Sequence, residues 1–504
     1  LHCDFVVSDE KARFGMSLAQ IGLAPTWFLA KKLMEVAGPV GAREVLLLGD
    51  PLPASRLKDM GVIHSIASKD GLEGAASAVI DRLAKNGVRF ENAYVTTPIC
   101  MSSRATIFTG MTEAGHGYTG GGFPATPVQK MDVDSSFPVL LRSENYRNGF
   151  YGKQHVKFAE GKEAALKRMF DDHKVYGGGP HFMKQPDGSK RHTADLIGDR
   201  SVEFIRSQPK EKPFCLYMSF NIAHARDGDH RPGIGHFPWP PAVDGMYNEI
   251  EPATPRLGDP KYFEMQPDFL KESLNRVRWF WRWDTPQKYR INMQAYYRML
   301  SGMDGVIGRV LNELKTRGLA ENTVVIYTAD NGFYMGERGF AGKWSHYEES
   351  LRVPLIIHDP RPDRMKRNTV IPSLALNLDL PATILKIADI DVPEKYQGRS
   401  LLPLLRGSTP ADWRSNFFTE FNSSNKKLPD WRGVHGKRYT YANYYGQKPA
   451  VEILYDLEED PDQMNNLASD PGHTEILNRM RFRTESYLKE YRRPEIMKLK
   501  VAPK

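Results

Sequence analysis

The chain has 504 residues, of which 40% are hydrophobic and 26% charged, with a formal net charge of +8. Its length exceeds one typical domain, so two or three cores are expected, and no run of about 18 apolar residues is present to span a membrane. Three cysteines, Cys3, Cys100 and Cys215, are too few for a disulfide framework. The positive excess suits a polyanionic partner such as a nucleic acid, an acidic membrane or a sulfated polysaccharide. No RNA- or DNA-binding motif is present, so nucleic acid is not expected. The sequence opens on Leu1 without the basic–apolar–small pattern of a secretory leader, so the compartment is not legible there.

The first 79 residues differ from the rest. An apolar strand is expected at Cys3-Asp4-Phe5-Val6-Val7-Ser8, followed by Ala12-Arg13-Phe14-Gly15, Glu44-Val45-Leu46-Leu47-Leu48-Gly49 and Gly61-Val62-Ile63. These short motifs resemble the C-terminal part of a crotonase-fold (enoyl-CoA hydratase/isomerase) domain. The second acidic catalytic position of that family falls on Leu18, which does no acid–base work. Residues 1–79 are therefore read as a non-catalytic crotonase-like fragment, and a CoA-thioester enzyme is disfavoured.

From Ile80 the pattern changes. Ile80–Asn86 reads as a short helix stopped at Asn86-Gly87, and Val88–Val95 alternates like a strand. Next comes Cys100-Met101-Ser102-Ser103-Arg104, with Thr109-Gly110 behind it. Gly152-Lys153-Gln154-His155 sets a cation and an imidazole two residues apart, a spacing that shares one face on an extended segment. A buried strand is expected at Phe214–Phe220, followed by Asn221-Ile222-Ala223-His224. A histidine at the carboxyl end of an α/β core strand has favourable odds of function. Arg276–Trp283 alternates arginine with aromatic residues, the pattern either of a sugar-stacking surface or of a helix that packs its tryptophans inward.

Tyr297–Arg317 carries apolar residues at helical spacing, and Thr323–Thr328 is a β-branched run typical of a parallel core strand. Thr328-Ala329-Asp330-Asn331-Gly332 follows, by default a turn. Then come Gly342-Lys343-Trp344 through Arg352-Val353-Pro354, and Gln397-Gly398-Arg399-Ser400-Leu401-Leu402-Pro403. Past residue 410 short Tyr-rich strands at 419–421, 439–441 and 453–457 point to a small antiparallel subdomain.

Taken together and in order, these motifs resemble the type I sulfatase family over about residues 80–485. One departure is Ser102, where the family signature C-x-P-S-R carries proline. The resemblance implies an α/β, alkaline-phosphatase-like central sheet flanked by helices, with a catalytic domain at 80–410 and a C-terminal subdomain at 411–504. It implies a sulfuric ester hydrolase in which Cys100 is oxidised to formylglycine by a formylglycine-generating enzyme. In the implied mechanism Arg104 steadies the hydrated aldehyde, Lys153 and Lys343 hold the sulfonate oxygens, His224 protonates the leaving oxygen and His155 helps regenerate the aldehyde. Cys100 (as formylglycine), Asp330 and Asn331 would hold a divalent cation, Ca²⁺ first with Mg²⁺ the alternative. The substrate would be a sulfated small molecule or polysaccharide, in a periplasmic or secreted setting. The family's opening Asp-Asp strand, which gives two more metal carboxylates, has no counterpart before Ile80, and Asp171-Asp172 is the only later pair. A weakened cation site is therefore expected. The alternatives are a phosphonate or phosphate ester hydrolase of the same superfamily and a catalytically inactive fusion protein.

Overall fold

The computed structural model describes residues 79–119, 127–177, 181–227 and 236–493, with short stretches at 7–9, 13–14, 52–60 and 65–67 and single positions at 33, 37, 42 and 44. The chain divides into two compact units, Leu1–Arg82 and Leu83–Lys504. In the first, Val7–Asp9 pairs parallel with Ser65–Ala67, and Arg13–Phe14 pairs antiparallel with Leu52–Pro53 ahead of the helix Ala54–Asp59. The motif positions Cys3–Val6, Ala12, Gly15, Leu18, 45–49 and 61–63 lie outside the described residues.

The second unit is a mixed α/β fold. Before residue 411 its described strands form two main sheets instead of one continuous sheet. Phe214–Ser219, Arg147–Gly152 and Asp172–Val175 form a parallel set in that order. Val325–Thr328, Leu355–His358, Val88–Phe90 and Thr369–Ile371 form the other. The β-branched strand Val325–Thr328 pairs antiparallel with Leu355–His358, which corrects the expectation of a parallel core strand. It is half-buried along its length, as is most of Phe214–Ser219, and no ladder joins these two among the described residues. Apolar composition alone does not distinguish a strand at the end of a sheet from one at its centre.

The long helix Pro286–Thr316 starts eleven residues before the apolar periodicity that announces it. Thr285 caps it by accepting from the Lys288 amide at 3.2 Å, and Pro286 occupies the first turn, where its missing N–H costs nothing. Met299, Met303, Val306, Val310 and Leu314 form its buried stripe. Leu274–Arg282 is a separate helix that mostly packs inward. Trp283, just past its end, stacks near Phe237 with centroids 6.0 Å apart, and only Phe280 is substantially exposed.

The C-terminal part is a four-stranded antiparallel meander, Asn416–Phe421, Trp431–Gly436, Tyr439–Tyr444 and Val451–Asp456, closed by the helix Thr474–Tyr491. Trp431–Gly436 has no counterpart among the expected strands. Its glycines weaken the sequence signal, yet a Cβ on Gly433 would sit 1.8 Å from the Tyr441 carbonyl oxygen.

Gly152 ends the strand that carries Lys153. Its φ is +123°, and a Cβ there would lie 2.0 Å from the Ser219 carbonyl oxygen. Only glycine lets the chain turn there while Lys153 N donates to Ser219 O at 2.7 Å. Gly152→Ala is expected to destabilise the unit by about 2–4 kcal/mol, read by urea denaturation. A loss below about 0.5 kcal/mol would show that the turn relaxes freely.

Candidate functional site

The site is assembled at the carboxyl ends of strands and at one helix start. Cys100 is the first residue of the helix Cys100–Thr109, so the positive end of that helix faces its sulfur. Arg104 follows one turn later on the same face. The buried Ser102 Oγ donates to Tyr118 O at 3.1 Å. Tyr118 N in turn donates to His116 Nδ1 at 3.1 Å, while His116 Nε2 meets Thr106 Oγ1 at 3.2 Å. Burial, with help from Arg493, lowers His116 to about 3, so its ring is a neutral strut behind the helix.

Arg104 is 7% exposed and fully engaged. Its Nε donates to Asp330 Oδ2 at 2.7 Å, and one terminal nitrogen donates to Lys153 O at 2.8 Å and to Ser219 Oγ. Lys153 and Lys343 are also buried. Lys343 is held by its own backbone, whose carbonyl accepts from Asn275 Nδ2 at 2.8 Å, between Gly342 at φ +97° and Trp344 at φ +87°. His155 Nδ1 lies 3.3 Å from Cys100 Sγ. Lys153 and His155 thus converge on one point, but not through strand alternation: the segment leaves the strand at Gly152, and His155 itself has φ +57°. His224 Nδ1 bonds Ala225 O at 2.7 Å, which leaves Nε2 available.

The electrostatics are dominated by cations. Burial acts to raise the Cys100 thiol, but Lys343, Lys153 and the His155 bond outweigh it and pull it down to about 5. Burial likewise opposes ionisation of Asp330, but Arg104, Lys153 and Lys343 hold its carboxyl well below the usual carboxylate range. Burial first, then Lys343 and Lys153, lower His224 to about 3 against the pull of Asp227. Burial depresses Lys153, opposed by Cys100 and Asp330 and reinforced by Arg104 and Lys343.

Seven of the eight site residues expected from the sequence, Cys100, Arg104, Lys153, His155, His224, Asp330 and Lys343, therefore come together in the second unit through hydrogen bonds and mutual electrostatics, while Asn331 follows Asp330 and donates its side-chain amide to Gly332 O at 2.8 Å. Asp171 and Asp172 do not join them. Asp171 bonds Arg142 and the Asn148 amide, Asp172 accepts from Tyr151 Oη at 2.7 Å, and Asp172 sits at the start of its strand. Asp227 and Ser219 were not singled out by the sequence. Asp227 follows His224 by three residues, and Ser219 supports both Lys153 O and Arg104. Neither has a spacing signal, because their partners come from distant segments.

The sulfatase family model matches residues 45–390, and the model of the N-sulphoglucosamine sulphohydrolase C-terminal region matches residues 336–490. The chain belongs to the sulfatase family. The first match begins inside the segment read as crotonase-like. Among curated relatives, the N-acetylglucosamine-6-O-sulfatase of Bacteroides thetaiotaomicron is 28% identical over 444 residues, covering 77% of this chain and 77% of that protein. An arylsulfatase of Clostridium perfringens is 26% identical over 463 residues, 82% of this chain and 89% of that one. A solved 2-O GAG sulfatase superposes with TM-score 0.67 at 25% identity, over 82% of this chain and 86% of its own. A protein solved with its substrate D-glucosamine-2-N,6-O-disulfate superposes with TM-score 0.69 at 24% identity, over 82% and 92%, and that likeness concerns the fold.

The family implies a divalent cation and a formylglycine. Cys100 suits the second, because its sulfur marks where an oxygen on the same carbon would stand, and two ammonium groups and an imidazole surround it. The cation is less well provided for. Asn331 Oδ1 is buried without a partner, as a ligand oxygen would be. Asp330, next to it in sequence, is already held by Arg104, and among the described residues no cluster of three His, Cys, Asp or Glu side chains suits a metal. A hard cation that takes six to eight oxygens is not satisfied by this set.

Two outcomes follow from this charge balance. In the unmodified protein the Cys100 thiol should titrate with a midpoint near 5, followed by thiolate absorbance, and Lys343→Met should move the midpoint up. Because the folded value lies below the ordinary ~8.5, the stability gained from ionisation is lost as pH falls through the folded midpoint. A midpoint near 8.5 would mean that the lysines do not reach the sulfur. Calorimetric titration with Ca²⁺ should give a dissociation constant no tighter than about 10⁻⁴ M, the weak end of protein calcium sites. Micromolar binding would reveal carboxylates outside the set described.

Proposed function

We propose that this chain hydrolyses sulfate esters of sugars at Cys100. The observation that carries the reading is the convergence of Lys153, Lys343 and His155 on one buried cysteine at a helix start, with His224 beside the two lysines, in a chain of the sulfatase family. Oxidised and hydrated, Cys100 would supply an oxygen nucleophile for attack on sulfur.

The residues around it have separable tasks. Lys153 and Lys343 bind the sulfonate oxygens with charge-assisted hydrogen bonds and favour the charge that grows on them. Arg104 positions the pocket, since Asp330, Lys153 and Ser219 all bond to it. His224 Nε2 is the proton carrier for the leaving oxygen. Burial and the two lysines keep its ring neutral, so it would take up a proton from solvent as the substrate's negative charge offsets them. His155, 3.3 Å from the sulfur position, takes the proton released when sulfate departs.

The named relatives act on sulfated glucosamine or other sulfated compounds, which supports a sulfated carbohydrate as the substrate. Among cations, the oxygen-only donors Asp330 and Asn331 suit Ca²⁺ before Mg²⁺, whose octahedral demand is stricter. The division into 1–79, 80–410 and 411–504 is our reading of the domains. The crotonase-like assignment of the first segment rests on its short motifs alone, and the family match from residue 45 competes with it over 45–79.

Cys100→Ala should abolish hydrolysis of 4-nitrocatechol sulfate while leaving the melting temperature within a few degrees. Mass spectrometry of the peptide containing Cys100 should show the aldehyde in the active parent. Equal turnover by mutant and parent would remove Cys100 from the mechanism.

A further inference from the structure

One cation beside the pocket has no task in this chemistry. Arg278 lies on the helix Leu274–Arg282, its side chain 14% exposed. It pairs with Asp227 Oδ2 at 2.8 Å, and its guanidinium carbon stands 4.7 Å from the centroid of the Trp344 ring. Its Nε is buried without a partner, and so is Trp344 Nε1. Each of its two neighbours leads back to the reacting centre. Trp344 is next to Lys343 in sequence, and Asp227 lies three residues past His224 and interacts with it. Arg278 and the Cys100 thiolate also attract each other through space.

The charge balance points the same way. Among the described residues, the carboxylates beside Arg104, Lys153, Lys343, Arg278 and Arg282 are Asp330 and Asp227. Once the thiolate is replaced by an uncharged oxygen group, a singly charged sulfate ester leaves this set with a cation surplus. Arg282 is fully buried and bonds Asp227, so it serves to hold that carboxylate in place. Arg278 is oriented by the same carboxylate and flattened on Trp344, yet keeps Nε–H unused. An arginine so placed is pre-organised to bind an oxyanion with little loss of freedom.

We propose that Arg278, stacked on Trp344 and braced by Asp227, is a specificity residue that binds a second oxyanion group on the sugar whose sulfate ester is cleaved. The inference rests on the sulfate-ester reading of the same pocket. The second group is a further sulfate or a uronate carboxylate, which share this chemistry.

Binding tests the inference without turnover. In the Cys100→Ala protein, calorimetry would compare glucosamine 6-O-sulfate, glucosamine-2-N,6-O-disulfate, and a 6-sulfated glucosamine linked to a uronic acid. At least one of the two doubly anionic sugars should bind about ten- to a hundred-fold tighter than the monosulfate, the range of a charge-assisted hydrogen bond, and which one does so identifies the second group. Arg278→Gln should erase that preference while leaving the monosulfate affinity within about two-fold. Arg278→Lys should restore it only in part. Asp227 keeps Arg282 in both variants, so neither strands a buried carboxylate. A preference that survives Arg278→Gln, equal losses for all three sugars, or no preference in the parent would each overturn the proposal. Hydrolysis of 4-nitrophenyl sulfate by the parent protein reports separately on the sulfatase reading, since that monoester has no second oxyanion.

Discussion

Arg104 joins what no described ladder joins. Its guanidinium reaches the carbonyl of Lys153 past the strand Arg147–Gly152, the hydroxyl of Ser219 at the end of Phe214–Ser219, and the carboxylate of Asp330 past Val325–Thr328. The first two strands belong to one sheet and the third to another. At the site the two sheets, which share one hydrophobic core, are therefore also tied by one planar cation with donors pointing three ways. Lysine would not serve, because a point charge on a flexible stem does not fix three acceptors in one plane.

The same arrangement sets the electrical character of the pocket. Asp330 is the acceptor that keeps Arg104 in place, so its negative charge is shared before any ligand arrives. Lys153 and Lys343 are held close together by glycine turns that no other residue would make comfortably, and their mutual repulsion is stored in the folded state. An arriving anion relieves it. The pocket is thus pre-organised for negative charge and poorly organised for a divalent cation, and both properties have one origin in the ratio of cations to carboxylates.

Much of this site was legible because each residue sits in a short motif at a strand end or helix start, where local sequence and local geometry coincide. Cys100 with Arg104, Lys153 with His155, and Asp330 with Asn331 are pairs within one turn or one bend. What escaped depends on pairing across long separations: Asp227 with Arg278 and Arg282, Ser219 with Arg104 and Lys153, and Trp344 as the platform for Arg278. The start of the helix at Pro286 was hidden because its first turns, with Gln287, Lys288 and Arg290, carry little apolar periodicity. The strand Trp431–Gly436 was hidden by its two glycines, one of which is there because a neighbouring carbonyl leaves no room for a Cβ. The two-sheet arrangement was not legible, since apolar strands at a sheet end and at a sheet centre have the same composition.

Cys100 is 4% exposed, and its helix is backed by buried Ser102, Thr106 and His116. An oxidising catalyst working on a side chain must surround it, and nothing protein-sized reaches this sulfur once the helix has packed. If Cys100 is oxidised as proposed, that step would have to precede closure of the fold around it. A chain that packs first would keep a thiolate there, stabilised by Lys343 and Lys153, and on the proposed reading would be folded without its nucleophile. On the proposed reading, the working fraction would then be set during synthesis, by the ratio of the rates of oxidation and closure.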